Sequence, residues 1–309
     1  MPRRTQRSLV SELRQMGLHF RELEVVTEGD YSIADVEWNY KDVPHLNKVH
    51  TRAANVNGLT EVDAEASINI QKVLGFRLPL VLCHYETAPD CHTYFFTMLA
   101  YTVVCETTFE TTPQGRSRVV TTYAVGGHRA PMLLFPLIAK VLRHNYRTLM
   151  SEDVPMRERR GQLRSWGYSF KGDGASRSFV DSPAIERDNV VLCTTPTPPP
   201  LYAPLSTLTP EHPLLWGRSD HVGVRLERQA AGIDVYPRMC PHEGACLDSA
   251  ALVGRRLDCP WHGRAIEPLG TVPVGGGVLA TEYLRVEVDG GTIRVEAASQ
   301  DVDGFGEPG

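Results

Sequence analysis

The spacing of apolar residues changes character along this chain of 309 residues. Residues 7–18 carry apolar side chains at helical spacing, which predicts a short amphipathic helix. From about residue 60 to residue 126 the pattern becomes β-rich and is interrupted by turn signals such as Pro113-Gln114-Gly115. This part predicts strands at residues 64–73, 77–86, 92–110 and 117–125.

Residues 130–150 predict one long apolar helix, and a second helical piece is expected after Ser151-Glu152-Asp153-Val154-Pro155. An antiparallel meander closed by a long helix is typical of an α+β fold in which the sheet grips the helix and a pocket lies between them. We therefore predict an N-terminal START-like helix-grip domain.

The last part of the chain has a different pattern. Beyond residue 171 the periodicity weakens, and the run from Thr195 to Pro200 must be extended and semi-rigid because proline dominates it. Short strands with glycine turns then predict an all-β domain. The predicted boundaries are residues 1–190 for the helix-grip domain, 191–213 for a Pro-rich linker, 214–300 for the all-β domain and 301–309 for a tail.

Composition and charge restrict the partners and the compartment. The formal net charge of −5 argues against nucleic acid or an anionic membrane as a partner, and no window is long and apolar enough to span a membrane. The start, Met1-Pro2-Arg3-Arg4, lacks the apolar run of a signal peptide. Seven cysteines, an odd number, favour reduced thiols over a disulfide framework, so we expect a cytoplasmic protein.

The candidate chemistry lies in the predicted all-β domain, at Cys240-Pro241-His242 and Cys259-Pro260-Trp261-His262. A 2Fe–2S cluster with two thiolates on one iron and two imidazoles on the other needs this ligand set. Gly244 and Gly263 would let the two loops pass close to each other. A zinc site is the alternative, although zinc fingers usually group their two cysteines in one knuckle, whereas here each loop carries one Cys and one His.

The stretch from Cys240 to Leu247, together with Cys259-Pro260-Trp261-His262-Gly263, resembles the Rieske domains of Rieske non-haem iron oxygenases. In the Rieske proteins of respiratory complexes an extra disulfide ties the two loops. Here Trp261 stands in the place of one of those cysteines, and Cys246 has no partner. The resemblance implies a cluster of the oxygenase or ferredoxin kind, bound by Cys240, His242, Cys259 and His262.

Asp42, His45 and His50 form a second pattern, D-x-x-H-x4-H. Taken alone it is weak, because paired histidines at the edge of a helix more often lie at the surface or in a satisfied core. Rieske oxygenases carry the same pattern, and the resemblance implies that His45 and His50 bind a mononuclear Fe(II). It also implies that Asp42 links them to a histidine of the cluster, usually across a subunit boundary.

The same resemblance points to Asp153 as the third iron ligand. The stretch from Glu152 to Arg160, running on to Gly172-Asp173-Gly174, is similar to the corresponding helix of the sterol and ketosteroid branch of these oxygenases. In that branch the aspartate of the stretch is the ligand. A helix-capping acidic pair is the alternative interpretation.

As a whole, the resemblance implies an oxygenase component that uses dioxygen to hydroxylate, desaturate or demethylate a mostly apolar small molecule. Electrons would come from a separate reductase or ferredoxin, because no strand–turn–helix unit with a G-x-G-x-x-G motif for flavin or nicotinamide is present. The family pattern favours a homo-oligomer, specifically a trimeric ring. The alternative is an electron-carrying Rieske ferredoxin fused to a non-catalytic START-like domain that binds a lipid or polyketide.

Two features depart from that family. Its members place the Rieske domain first and the catalytic domain second, whereas the order here is inverted. The distance along the chain from His50 to Asp153 is also short, which implies a trimmed catalytic domain. The inverted order leaves the local ligand chemistry intact.

Overall fold

The computed structural model describes residues 4–51, 53–73, 75–172, 179–180, 185–194 and 196–298. The chain divides into two compact units, and the first comprises Met1–Ser165 and Ser169–Asn189. The second comprises Trp166–Tyr168 and Val190–Gly309. The tail predicted for residues 301–309 lies outside the described residues, as do Asp173 and Gly174 of the family resemblance.

Seven strands build the sheet of the first unit: β1 (His19–Gly29), β2 (Ala53–Thr60), β3 (Ala64–Val73), β4 (Phe76–Ala88), β5 (Cys91–Met98), β6 (Tyr101–Thr111) and β7 (Ser117–Gly127). Their order across the sheet is β1-β7-β6-β5-β4-β3-β2, and neighbouring strands are antiparallel. The strands from β2 to β7 therefore form a meander, and β1 closes on its last strand.

The described helices of this unit are α1 (Gln6–Gln15), α2 (Ile33–Lys41), a 3₁₀-helix (Val43–Asn47), α3 (Arg129–Met132) and α4 (Phe135–Ser165). A short strand, β8 (Ser169–Phe170), follows α4. α2 begins with a capping box, in which the side chains of Ser32 and Asp35 each accept a hydrogen bond from the other's backbone N–H. In the described part of the chain, no helix combines the length and apolar character that crossing a membrane requires. The cytoplasmic location stays a prediction.

α4 packs against the sheet and closes the core of the first unit. Its buried side chains Phe135 and Leu142 belong to one cluster with Leu23 of β1, Val103 of β6 and Val125 of β7. Burying apolar surface between a helix and a sheet is the main stabilising contribution in such a fold. This arrangement confirms the predicted α+β helix-grip fold.

α4 is a single helix of 31 residues, whereas the sequence predicted a break near Pro155. A proline removes one backbone hydrogen bond and costs a helix interior about 3 kcal/mol. The residues beyond it are held by α2, because Arg160 donates to Asp35 at 3.0 Å and Arg157 donates to Asn39 at 2.9 and 2.6 Å. These buried contacts stabilise the second half of α4, so the helix continues through the proline.

Two strand predictions also need correction. The strand predicted over residues 92–110 is in fact the hairpin of β5 and β6, which turns at Leu99 and Ala100. Leu99 adopts a left-handed conformation with a φ of 54°. Leucine does not favour this conformation, so nothing in the local sequence indicated a turn here. β2 was not predicted, because its register shifts between Asn57 and Leu59 and its apolar alternation is interrupted there.

In the second unit the described strands are β9 (Val190–Val191), β10 (Leu201–Pro204), β11 (Leu214–Trp216), β12 (Val224–Arg228), β13 (Ile233–Pro237), β14 (Ala251–Val253), β15 (Arg256–Asp258), β16 (Ala265–Ile266), β17 (Gly270–Val272), β18 (Gly277–Ala280), β19 (Leu284–Asp289) and β20 (Thr292–Ala297). They form sheets with the orders β10-β20-β19-β18, β11-β12-β13-β17 and β14-β15-β16. Buried aliphatic side chains such as Leu226, Val235, Val286 and Ile293 share one core. The predicted C-terminal all-β domain is confirmed.

Part of the segment predicted as a linker, residues 191–213, contributes to the second unit. β10 pairs with β20, with Leu201 opposite Val295. Nε1 of Trp216 also donates a hydrogen bond to the carbonyl of Pro199 at 2.8 Å. The predicted domain boundaries themselves stay a prediction.

Candidate functional site

The two Cys/His loops of the second unit share one backbone pattern. The carbonyl of Cys240 accepts a hydrogen bond from the N–H of Gly244 at 3.0 Å, and the carbonyl of Cys259 accepts one from Gly263 at 2.8 Å. Both glycines are left-handed, with φ values of 85° and 71°. A side chain at either position would strain the turn. The glycines thus close the two loops, rather than only allowing them to pass close to each other.

The four predicted cluster ligands come together in these loops, and all four are buried. Nδ1 of His242 lies 3.2 Å from Nδ1 of His262. A hydrogen bond to Cys259, together with burial, raises the pKa of Cys240 well above its ordinary value. The same hydrogen bond outweighs burial at Cys259 and lowers its pKa to about 4. The two cysteines contact each other, and so do the two histidines. This arrangement suits two irons that are each ligated by one of the pairs.

Three side chains from distant parts of the first unit meet at the second candidate site. His45 lies in the 3₁₀-helix, His50 follows it, and Asp153 lies within α4. Oδ1 of Asp153 is 3.3 Å from Nε2 of His45 and 3.5 Å from Nε2 of His50. One ligand atom from each residue lies within 4.8 Å of the others. Ligands bound at about 2.1 Å to one ion are at most about 4 Å apart, so the three side chains fit a shared metal ion after at most a small shift.

Burial and mutual contact control the protonation of these side chains. Burial by itself lowers the pKa of His45, but the adjacent carboxylates of Asp153 and Asp42 raise it above its ordinary value. Burial by itself raises the pKa of Asp153, but His45, Arg157 and His50 lower it. Asp153 is therefore ionised at neutral pH, which is the form that binds a metal ion.

Glu152 orients His50 from the side away from Asp153. Oε2 of Glu152 is 2.9 Å from Nδ1 of His50. Oε1 of Glu152 accepts hydrogen bonds from the backbone N–H and the hydroxyl of Thr51, at 3.2 and 2.7 Å. A carboxylate bound to one ring nitrogen fixes the orientation and tautomer of a histidine whose other nitrogen faces a metal. The sequence did not identify this role, because nothing local connects residues 50 and 152.

Asn39 and Arg157 hold Asp153 from another direction. The completely buried guanidinium of Arg157 donates twice to Oδ1 of Asn39 and lies 3.7 Å from Oδ2 of Asp153. Nδ2 of Asn39 is 3.5 Å from Oδ1 of Asp153. Neither residue was predicted as part of the site. The spacing of four residues between Asp153 and Arg157 on one helix was the available signal.

Asp42 contacts the ring of His45 more closely through its backbone carbonyl than through its carboxylate. The backbone carbonyl of Asp42 faces Nδ1 of His45 at hydrogen-bonding distance, whereas its carboxylate oxygen Oδ2 lies 3.7 Å from that nitrogen. Asp42 caps the 3₁₀-helix, and the three-residue spacing of such a helix brings the ring of His45 next to the carbonyl three residues earlier. The ring N–H therefore meets the carbonyl, and the buried carboxylate lies beside it.

The candidate metal site lies in the wall of a cavity of about 230 Å³ between the sheet and α4. Most of the lining is apolar and comprises Leu80, Leu82, Phe96, Met98, Leu142 and Leu149, among others. Three further lining residues, Glu65, Asn69 and His84, are polar and buried. The pocket predicted between sheet and helix is thus present in this unit.

Comparison with known proteins identifies the second unit. Residues 216–274 match the family model of the Rieske [2Fe-2S] domain, and this range includes both Cys/His loops. The C-terminal part of the chain therefore contains a Rieske domain, which implies a 2Fe–2S cluster and a role in electron transfer. Such domains are typical of oxidoreductases. The curated proteins gave no match to this chain.

Several solved structures are similar to slightly less than half of the chain. Zhui aromatase/cyclase from Streptomyces sp. R1128 is 14% identical over 46% of this chain and 96% of its own, with a TM-score of 0.39. A START superfamily protein from Mycobacterium smegmatis is 8% identical over 44% and 97%, with a TM-score of 0.38. The di-domain ARO/CYC BexL from the BE-7585A biosynthetic pathway is 11% identical over 45% and 50%, with a TM-score of 0.41. Similarity at this level concerns the fold and not the activity.

Proposed function

We propose that this chain is the oxygenase component of a Rieske-type system. It would use dioxygen, and electrons from a separate reductase or ferredoxin, to hydroxylate, desaturate or demethylate a mostly apolar small molecule in the cytoplasm. The observation that carries the proposal is the convergence of His45, His50 and Asp153 within 4.8 Å in the wall of an apolar cavity. The Rieske domain of the same chain supplies the means of electron delivery.

In this proposal Cys240 and Cys259 bind one iron of the cluster, and His242 and His262 bind the other. The hydrogen bond between the two cysteines and the distance of 3.2 Å between the two Nδ1 atoms support this division. Thiolates carry a negative charge and neutral imidazoles do not, so the histidine-bound iron accepts the electron at a higher potential than in an all-cysteine cluster.

His45, His50 and Asp153 would hold a mononuclear Fe(II), which when bound supplies the activation of dioxygen. Two imidazoles and one carboxylate leave positions for dioxygen and substrate. The rest of the site contributes positioning. Glu152 fixes the ring of His50, and Arg157 holds Asp153 in its charged form.

The cavity would bind the substrate and exclude water. Its aliphatic and aromatic walls favour an apolar molecule, because transferring that molecule from water is favourable. Tyr94 and Tyr123 also line the cavity, and burial raises the pKa of each hydroxyl well above its ordinary value. Both hydroxyls are therefore protonated and able to donate hydrogen bonds at neutral pH.

Electron delivery would run from a cluster histidine to His45 by way of Asp42, which is buried beside the ring of His45. We propose that the chain works as a homo-oligomer, with a trimer favoured, and that the cluster of one chain serves the mononuclear iron of a neighbour. Asp42 acts here as a positioning residue, because it contacts a ligand and not the reacting atoms.

Metal content tests the proposal. Iron, zinc and acid-labile sulfide would be measured per chain on protein reconstituted with Fe(II) and sulfide without oxygen. We expect about three iron atoms and about two sulfides. About two irons with two sulfides would instead identify an electron-carrying Rieske protein with a non-catalytic START-like domain. Stoichiometric zinc without sulfide would contradict both functions.

A further inference from the structure

One strand of the first unit presents polar side chains to the cavity and apolar side chains to solvent. On β3, Glu65, Ser67 and Asn69 are buried, whereas the alternating Ile68 and Ile70 are 50% and 37% exposed. An antiparallel sheet with one buried face normally shows the opposite pattern. Glu65 and Asn69 line the cavity of the candidate site. The inward face of β3 is therefore suited to a ligand that needs polar contacts.

Glu65 is the residue on this face whose hydrogen-bonding capacity is least used. Nδ2 of Asn69 donates to Oγ of Ser67 at 3.1 Å. By contrast, Oε1 of Glu65 lies 3.8 Å from Nδ1 of His84, which is beyond hydrogen-bonding distance. Oε2 of Glu65 is buried and accepts no hydrogen bond from any residue that the structure describes. A buried carboxylate oxygen without a donor costs free energy that a ligand with a donor would recover.

Two buried cations of the first unit, Lys41 and Arg157, have ionic partners other than Glu65. Nζ of Lys41 lies 2.7 Å from Glu37 and 3.0 Å from Glu86. Arg157, which lines the same cavity, donates to Asn39 and lies near Asp153. Within the described ranges, the one ion-pair contact of Glu65 is therefore the distant imidazole of His84.

His84, the distant ion-pair neighbour of Glu65, is itself in contact with a second buried histidine. Nε2 of His84 is 2.9 Å from Nδ1 of His92. Burial, and then the nearby His84 and Lys41, lower the pKa of His92 well below its ordinary value, so His92 is neutral at pH 7. A neutral His92 can share only one proton with His84 along this contact. Within the part of the chain that the structure describes, Oε2 of Glu65 therefore remains an unused acceptor on a residue that lines the cavity.

We propose that the cavity takes a substrate with an apolar body and a protonated amine, and that Glu65 binds the amine. That the bound molecule is a substrate rests on the proposed function, whereas its binding at Glu65 rests on the cavity alone. An ammonium group satisfies both the charge and the acceptor of Glu65, whereas a hydroxyl satisfies the acceptor only. With the amine at Glu65, the apolar body occupies the cavity that His45, His50 and Asp153 also line. Glu65 would thereby determine specificity.

Binding of matched amines and alcohols tests this inference. Calorimetric titration of the full, iron-loaded chain would compare naphthylmethylamine with naphthylmethanol, phenylbutylamine with phenylbutanol, and cyclohexylmethylamine with cyclohexylmethanol. Each pair shares one apolar body. We expect the amine of at least one pair to bind at least about tenfold more tightly than its alcohol, as a charge-assisted hydrogen bond allows. Absence of a preference in all three pairs, including absence of binding, would overturn the proposal.

Variants then locate the preference. Glu65→Gln should lose about tenfold in affinity for the amine and change the affinity for the alcohol less than twofold. Glu61→Gln removes the same charge from an exposed position before β3, so it should leave both affinities unchanged. If Glu65→Gln does not fold, Glu65→Asp takes its place. This variant keeps the charge but withdraws it from the cavity, so it should still reduce the ratio of the affinity for the amine to the affinity for the alcohol. An amine that binds Glu65→Gln as tightly as the unmodified chain, for example through the iron, refutes the assignment.

The same samples distinguish this inference from the proposed function. Amine selectivity that depends on Glu65, in a chain with two irons, would support the binding site and reject the oxygenase. Three irons without amine selectivity would support the oxygenase and reject the amine-binding site.

Discussion

Oε2 of Glu152 lies 2.9 Å from Nδ1 of His50, so the residue next to one proposed iron ligand orients another. The two residues are 102 positions apart in the chain. Their contact joins the middle of α4 to the segment that follows the 3₁₀-helix. One turn of α4 thus contributes both Asp153 and the group that holds His50.

Removing this contact should weaken the mononuclear site without abolishing it. Glu152→Ala is expected to lower the affinity for Fe(II) by about 10- to 100-fold, as losses of outer carboxylates do at other metal sites. Titration of chelator-treated protein with Fe(II), with the cluster absorbance recorded in parallel, would measure the change. Glu158→Ala, at an exposed position on the same helix, is the matched control. If Glu152→Ala loses the iron while Asp153→Ala retains it, Glu152 is the ligand.

The three proposed iron ligands should each be necessary. His45→Ala, His50→Ala and Asp153→Ala are each expected to abolish turnover and to lower the iron content by about one atom per chain. The visible spectrum of the cluster should not change, because its ligands belong to the other unit. His128→Ala removes an exposed histidine and should keep about three irons. Full iron content in any of the three ligand variants would exclude that residue.

The cluster should depend on Cys240 and not on Cys246. Cys240→Ser is expected to lose the red-brown colour and the sulfide, because a thiolate ligand is removed. Cys246 is a half-buried free thiol in the same loop, and all seven cysteines of the chain are free. Cys246→Ser should therefore keep the absorbance and, on reduction, the mixed-valence signal of a histidine-ligated cluster. Bleaching in Cys246→Ser would show that the loop has been assigned wrongly.

Asp42→Asn separates electron transfer from metal binding. The carbonyl that faces Nδ1 of His45 is retained in this variant, so both metal centres should stay loaded. Only the charge of the neighbouring carboxylate is lost, and we expect electron transfer from the reduced cluster to the mononuclear iron to slow by at least about tenfold. Stopped-flow oxidation of the reduced cluster would measure the rate. An unchanged rate would remove Asp42 from the route.

Mixed oligomers then test whether electrons pass between chains. Asp42→Asn chains keep a cluster, and Cys240→Ser chains keep an intact mononuclear site. Recovery of activity on mixing would mean that electrons pass from one chain to another, as expected for the proposed trimeric ring. A mixed oligomer that is verified to contain both chain types and stays inactive would locate delivery within one chain.

The sequence by itself determined the features that depend on short spacing. Cys240 and His242, and likewise Cys259 and His262, lie in tight turns closed by a glycine, so a few neighbouring residues specify each half of the cluster site. The alternation of strands and the apolar helix likewise predicted the helix-grip fold, because hydrophobic periodicity is a local property of the chain.

Only the tertiary structure decided the features that depend on distant contacts. α4 passes through Pro155 because buried ion pairs and hydrogen bonds with α2 outweigh the lost backbone hydrogen bond. Glu152 reaches His50, and Glu65 faces the cavity, because sheet register and helix packing bring them there. A one-residue shift of β3 would turn Glu65 outward, and no local pattern fixes that register. Local chemistry is therefore encoded in short motifs, whereas the shape and charge of the cavity arise from packing.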